Sequence, residues 1–391
     1  MKRILPSATV AIFLIAGTAA AAPAEKLPSP NTFLFWTPAQ QAVGYRNIKK
    51  IFPTRIAARG PAVSVLPHDT KPFDVSYTFG GQILDTAGYM KATDVSGLIV
   101  IQHGHVLLER YGLGRTEKDR WTSFSVAKSV TSTLIGAAIK DGYIKSLDSQ
   151  LVDYLPELKG TAYDGVTIAD LITMRSGVKW NEDYTDPKSD IGQFSKGLRR
   201  ADGMDPIEAY MAKLPRAHQP GTVFHYDTGE TDLAGILVAR ATGKHLADYL
   251  SEKIWSKIGT EQDAVWIVDQ GGNELGGCCL SMTLRDYARF GLFFLHGGVV
   301  DGKQILPAGW AKAASTSYVK TGDGDTGYGY FWWIHPDGTY EAEGIFGQSI
   351  FLDPRNDIVI VTNSAWPVAD DDKYWVAQDA YFAAVEKALA K

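Results

Sequence analysis

Trp121-Thr122-Ser123-Phe124-Ser125-Val126-Ala127-Lys128 decides how the rest of the chain is read. The stretch reads as a loop entering a helix, with Ser125 at the helix start and Lys128 one turn on. Residues three apart on a helix share a face, so local backbone alone sets a hydroxyl beside an amine. A serine nucleophile needs such a neighbour to take its proton. A helix N-terminus also favours negative charge, so the Ser125 backbone N–H can face a developing oxyanion. The run Ser129 to Gly142 carries Val130, Leu134, Ile135, Ala137, Ala138 and Ile139. It is too apolar and too rich in small residues for a surface helix, which predicts a buried one stopped at Gly142. A lysine on a buried helix has a partner or a task. The bland alternative for Ser-x-x-Lys is a surface pair, and the apolar run argues against it.

With 391 residues the chain can bury a large core, in one big domain or two lobes. Apolar content of 45% with 21% charged places it among ordinary globular proteins rather than disordered or fibrous ones. The net charge is −5 with no basic block, which argues against nucleic acid or an anionic membrane as partner. Residues 1–22 read as an export signal. Lys2 and Arg3 form its charged region, Ala8 to Ala19 its apolar stretch, and Ala19 to Ala22 supply small residues for cleavage. The stretch is short for a membrane span, and no other segment reaches the roughly 20 apolar residues a span needs, so no stable membrane insertion is expected after cleavage. The expected location is periplasmic or secreted. Cys278 and Cys279 are neighbours, and adjacent cysteines do not easily meet disulfide geometry. Two small buried residues are the expectation, with a redox pair as the alternative.

Residues 23–60, with Phe33-Leu34-Phe35-Trp36, read as an extended arm wrapping the body, since those rings need burial. The main domain then runs over 61–391. Gly97 to Gly112 reads as a hairpin turning at Gly104. His103 and His105 sit in that turn without a third ligand nearby, so no metal and no cofactor is expected. Helices are expected over Ile168–Arg175, Thr231–Thr242, His245–Ile258 and residues 280–296. Between them, Trp180 to Asp190 reads as a polar, aromatic loop that can line a cleft. Gly327 to Ile334 and Ile358 to Thr362 read as strands, and Ala377 to Ala390 as a closing helix. Strands cluster at both chain ends and helices in the middle. The fold class is therefore α/β (α+β): one antiparallel sheet made from both ends, flanked by helices, with an all-helical lobe inserted over about 125–320.

Three motifs tempt and are better read as turns. Lys320-Thr321-Gly322 lies in a Gly/Asp-rich loop. Gly322 to Gly327 fits GxGxxG without the preceding strand or following helix. Gly297 to Lys303 fits a phosphate loop, but Gln304 replaces the hydroxyl residue that would hold magnesium. No GxSxG elbow is present, which argues against an α/β-hydrolase.

With Ser125-x-x-Lys128, Tyr226 ahead of a helix, and Gly344-Ile345-Phe346-Gly347-Gln348 late in the chain, the sequence resembles the serine β-lactamase-like hydrolases. The similarity runs from about Phe33 to the C-terminus. It is strongest with the branch of 6-aminohexanoate-dimer hydrolases and esterases, related to class C β-lactamases and penicillin-binding proteins. The resemblance implies a sheet lobe and a helical lobe with the site between them. It assigns Ser125 as the acylated serine, Lys128 as its lysine and Tyr226 as the family's tyrosine. It makes the Ser125 and Ile345 N–H groups the oxyanion hole and implies a small-molecule amide or ester substrate. Thr228 stands where the family's Tyr-x-Asn motif has Asn. The family's Lys/His-Thr-Gly strand falls at Ala342-Glu343-Gly344, without the cation that would pair a β-lactam carboxylate. This lowers the expectation of β-lactamase or D-Ala peptidase activity below that of amidase or esterase activity. Tyr184, with Glu182, Asp183, Asp186 and Asp190, is expected to hold a substrate's amino end. The reading of another class is a silent cell-wall binding module of the same fold.

Overall fold

The computed structural model describes residues 25–198, 204–322 and 324–390. The export segment read at 1–22 lies outside them. Both chain ends build one eight-stranded antiparallel sheet. Ile358–Ser364 lies in its interior, third from one edge, paired on one side with Val95–Gln102 and on the other with Gln348–Asp353. The outer strands are His105–Tyr111 at one edge and Tyr340–Gly344, Trp333–Ile334, Gly327–Tyr328 and Val319–Lys320 toward the other.

Side chains alternate across a strand, and here both faces are covered. Leu98, Val100, Ile358 and Ile360 pack with Tyr89 and with Tyr381 and Phe382 of the closing helix, Asp372–Leu389. Ile99, Ile101, Val359 and Val361 face the other way, into the core shared by the Ser125 helix and by Phe290 and Phe294 of Leu284–Leu295. That two-sided burial is why the central strands read as unbroken apolar runs rather than alternating ones.

The inserted region is not wholly helical. Ala264–Ile267 and Leu280–Met282 join Thr54–Ala57 and Trp121–Thr122 in a second, four-stranded sheet. The helix expected over 280–296 therefore starts only at Leu284, capped by Thr283. The expected single strand over Gly327–Ile334 is two short strands folded back on each other. Phe331, at φ 58°, makes the reversal, and its backbone is pinned by Ile172 O and by the Ser129 hydroxyl. Positive φ is uncommon for an aromatic residue, so nothing in the local pattern announces the turn. The arm is not extended either. It forms short helical turns at Pro30–Phe35, Pro38–Gly44 and Ile48–Ile51 before its strand. Its rings do find burial: Phe33 stacks on Phe124 at 5.1 Å, and Tyr45 packs edge-on to the same ring. Among the described residues no helix is long and apolar enough to cross a membrane.

Candidate active site

Thr122, Ser123 and Phe124 lead into the helix Val126–Lys140, with Ser125 at its N-cap. Phe124 is held at φ 43°, a left-handed conformation that costs on the order of 1–3 kcal/mol for such a residue. Its ring is locked among Phe33, Tyr45 and Phe346, which supplies the packing that holds the backbone there. The helix is buried along nearly its whole length. Its hydroxyls are satisfied in that apolar setting: Thr131 donates to Gly276 O and Ser129 to Phe331 O. Gly142, at φ 81°, ends the helix as expected.

The Lys128 side chain is 1% exposed. Its Nζ lies 3.1 Å from Ser125 Oγ, 2.9 Å from Thr228 Oγ1 and 2.9 Å from Gly277 O. Burial lowers the lysine's pKa to about 8, against the pull of the Glu182, Asp232 and Asp227 carboxylates, which raise it. A lysine so placed is roughly one-tenth neutral at pH 7 and half neutral at about pH 8, against well under a thousandth at pH 7 for a free lysine, so it can serve as a proton acceptor. The Tyr226 ring lies 5.0 Å below Nζ, its hydroxyl hydrogen-bonds toward Ser125, and its face stacks on Trp333. Burial first, then the Glu182 carboxylate, hold this phenol well above its ordinary pKa, so it stays protonated.

Asp227 caps the helix Thr228–Thr242 by accepting from Glu230 N, which sets Tyr226 and Thr228 at the helix entrance. Thr228, in the place of the family's Asn, thus reaches Lys128. Its hydroxyl also meets Glu182 Oε1 at 2.5 Å, and its N–H donates to Glu182 Oε2 at 3.1 Å. Tyr184 donates to Glu182 Oε1 at 2.7 Å, and Trp180 Nε1 donates to Oε2. The four acceptor positions of this carboxylate are therefore filled from within the protein. Glu182 was expected to meet a substrate's amino end; it is instead committed to the lysine's surroundings. Asp186 and Asp190 do not face the cleft: they hold Lys188 N, and Asn181 N with the Tyr210 hydroxyl. Neither the role of Glu182 nor that of Thr228 was read from the sequence, since both act through bonds between distant segments.

Ser125, Tyr226, Tyr184, Asp183 and Ile345 open onto one cavity of about 950 Å³. The end of the strand Tyr340–Gly344 forms its far wall. Gly344 is required there: a Cβ would lie 2.6 Å from Ser123 O and 3.0 Å from Ser125 N. This close approach sets Ile345 beside the nucleophile. Glu343, one residue earlier, lines the cavity where the family has its Thr, and no cation stands next to it at Ala342. Asp370, Asp371, Asp372, Asp379 and His335 also line this cavity. The sequence carries no sign of them, because Asp370 to Asp372 at a helix start look like ordinary capping and dipole partners, and Asp379 like one more acid within that helix. Among the described residues, His335, Glu341 and Glu343 bring ligand-type atoms within 4.8 Å of one another, the one group arranged to hold a metal ion. The hairpin histidines do not do so. His103 instead pairs with Asp357.

Cys278 and Cys279 correct the sequence expectation. They form a vicinal disulfide, with Cys279 buried, its backbone at φ 71° and its N–H near Phe124 O. The pair follows Gly277, the residue whose carbonyl holds Lys128. Lys320-Thr321-Gly322 begins on the outermost two-residue strand, where Lys320 bonds Asp325.

Comparison with known proteins identifies the family and the fold. The Beta-lactamase family profile matches residues 86–381. A 6-aminohexanoate-dimer hydrolase of Paenarthrobacter ureafaciens is 32% identical over 361 residues, spanning 88% of this chain and 90% of that protein. The solved structure of a Bacillus anthracis protein assigned as a 6-aminohexanoate-dimer hydrolase superposes with a TM-score of 0.81 at 25% identity, over 95% of this chain and all of that one. A family VIII carboxylesterase shares the fold, at a TM-score of 0.59 and 17% identity, over 76% of this chain and 95% of its own. By sequence and by architecture, the chain belongs to the Beta-lactamase family of serine hydrolases.

Proposed function

We propose that this hydrolase opens linear amide and ester bonds through an acyl-enzyme on Ser125. The observation that carries the reading is a buried amine of lowered pKa 3.1 Å from a cavity-facing hydroxyl. Neutral Lys128 takes the Ser125 proton as Oγ attacks the carbonyl carbon. The Ser125 and Ile345 N–H groups receive the oxyanion. Tyr226 gives its proton to the leaving nitrogen or oxygen and is reprotonated from Lys128, so the first half-reaction leaves both as they began. Water, deprotonated by the same pair, then releases the acid. Tyr184, half-buried at the cavity wall, offers its ring to the substrate chain.

The acids of the lining favour a substrate with a cationic amine end, as at the amino terminus of a linear ω-amino acid dimer, and Ala342 offers no cation to pair the carboxylate of a β-lactam. A hydrogen bond to a charged group is worth about 1.5–3 kcal/mol, so amine-terminated amides are expected to be cleaved roughly 10- to 100-fold faster in kcat/KM than their N-acetylated or succinylated analogues. A panel of p-nitrophenyl esters, linear amide dimers and nitrocefin, with fluorophosphonate labelling of Ser125, tests both parts. Nitrocefin as the best substrate would overturn the amidase/esterase reading. Absence of any label would favour a silent binding module.

Export belongs to the same proposal, on the strength of Lys2-Arg3, the apolar stretch to Ala19 and the alanines to Ala22. Expression of the full chain in a Gram-negative host is expected to give a periplasmic or secreted protein beginning at Pro23. Recovery of intact Met1 protein from the cytoplasm alone would rule this out.

A further inference from the structure

A neutral amine has two hydrogens and one lone pair, and their directions decide whether Lys128 can act as a base. Gly277 O is a carbonyl and only accepts, so it takes one hydrogen. The second contact, Thr228 Oγ1, is ambiguous by itself, because a hydroxyl both donates and accepts. Glu182 removes the ambiguity. Its two oxygens receive Trp180 Nε1, the Tyr184 hydroxyl and Thr228 N, so it only accepts, and at 2.5 Å the single Thr228 hydrogen must point toward it. Thr228 Oγ1 then presents a lone pair to Lys128 and takes the amine's second hydrogen. The third direction around Nζ, toward Ser125 Oγ, is left for the lone pair.

We infer that Glu182, acting through the Thr228 hydroxyl, is the positioning residue that aims the Lys128 lone pair at Ser125. The inference rests on Lys128 being the base. It also explains how the chain functions with Thr at the Asn position. An Asn there would accept from the lysine with its carbonyl and donate to Glu182 with its amide, the same polarity in one side chain. Glu182 itself is held in place by Trp180 Nε1, Tyr184 and Thr228 N, so its orientation does not depend on substrate.

The test compares four variants in kcat, KM and pH profile with a p-nitrophenyl ester, and in rate of fluorophosphonate labelling. In Glu182→Gln the new amide can donate to Thr228 Oγ1, which lets the threonine hydrogen turn to the lysine lone pair and withdraw it from Ser125. The expected result is a loss of about 100-fold in kcat with KM little changed. Glu182 is also the foremost of the carboxylates that raise the Lys128 pKa, so the acid limb of the residual activity is expected to move below pH 8. Thr228→Val is expected to lose a comparable factor, Thr228→Ser to lose little, and Thr228→Asn to recover most of what Thr228→Val loses. A merely structural Glu182 would lower the yield of active protein without moving the pH limb. The inference is overturned if Glu182→Gln keeps the wild-type limb and rate within about threefold, or, should that variant not fold, if Thr228→Val matches Thr228→Asn. Wild-type protein that neither turns over the ester nor takes the label would instead overturn the Ser125 reading beneath it.

Discussion

Ser125→Ala is expected to lower kcat/KM for ester and amide substrates by at least about 10⁴-fold and to abolish fluorophosphonate labelling, while leaving the protein folded. The size follows from what the hydroxyl does. It is the atom that forms the new bond, and the lysine and tyrosine beside it have no other nucleophile to serve. What survives is the contribution of binding and the oxyanion hole, which accelerate attack by water only weakly. Folding should be nearly indifferent. The Ser125 hydroxyl sits at the cavity surface and its partners belong to the site, so its loss costs at most the roughly 1 kcal/mol of one hydrogen bond. Thermal unfolding of the variant, measured beside its kinetics, separates the two effects. Retention of more than about 1% of wild-type activity would mean a different nucleophile. The His335, Glu341 and Glu343 group would then become the place to look, with a chelator as the first reagent.

How much of this site could be read from the sequence depends on how far apart its parts lie. Ser125 and Lys128 are joined by one helical turn, so their contact follows from backbone geometry alone. The apolar residues between them and Gly142 foretell the burial that depresses the lysine's pKa. Tyr226 was found only by resemblance: Phe224-His225-Tyr226 has no periodicity that sends a phenol toward a serine 101 positions earlier. Glu182 illustrates the limit. In sequence it is one acid among several in a polar loop, and composition gives no reason to separate it from Asp186 or Asp190. Only the fold brings Trp180, Tyr184 and Thr228 around it and turns the other two away. The sheet was legible for the opposite reason. Ile358 to Val361 and Leu98 to Ile101 are unbroken apolar runs, and only a strand covered on both faces uses such a run economically. The aromatic run Gly327–Ile334 shares that apolarity, but its reversal depends on Phe331 accepting a positive φ, for which the sequence carries no sign.

Lys128→Arg is expected to lose about 10³- to 10⁴-fold in kcat/KM despite keeping the charge, because a guanidinium does not deprotonate and cannot accept the serine proton. The pH profile gives the sharper form of the prediction. Burial lowers the Lys128 pKa to about 8, so wild-type kcat/KM rises with pH through about 8 as the amine becomes neutral. The arginine variant has no such group, and its residual rate is expected to be flat over the same range. Stability should move with the same proton. In the unfolded chain the lysine titrates at its ordinary value of 10.5. Between about 8 and that value the unfolded state binds the extra proton, so wild-type stability increases as pH rises through the window. The cost of burying the charged amine is present in full below about pH 8, and its relief is worth up to about 3 kcal/mol. An arginine stays charged in both states and shows no such gain. Urea unfolding of the two proteins between pH 7.5 and 10 (roughly the window set by this linkage) therefore reads the lysine's burial independently of catalysis. If the wild-type curve gained nothing over the variant while its activity still rose near pH 8, the titrating group in the rate profile would not be Lys128. The assignment of the base would then pass to another group at the cavity.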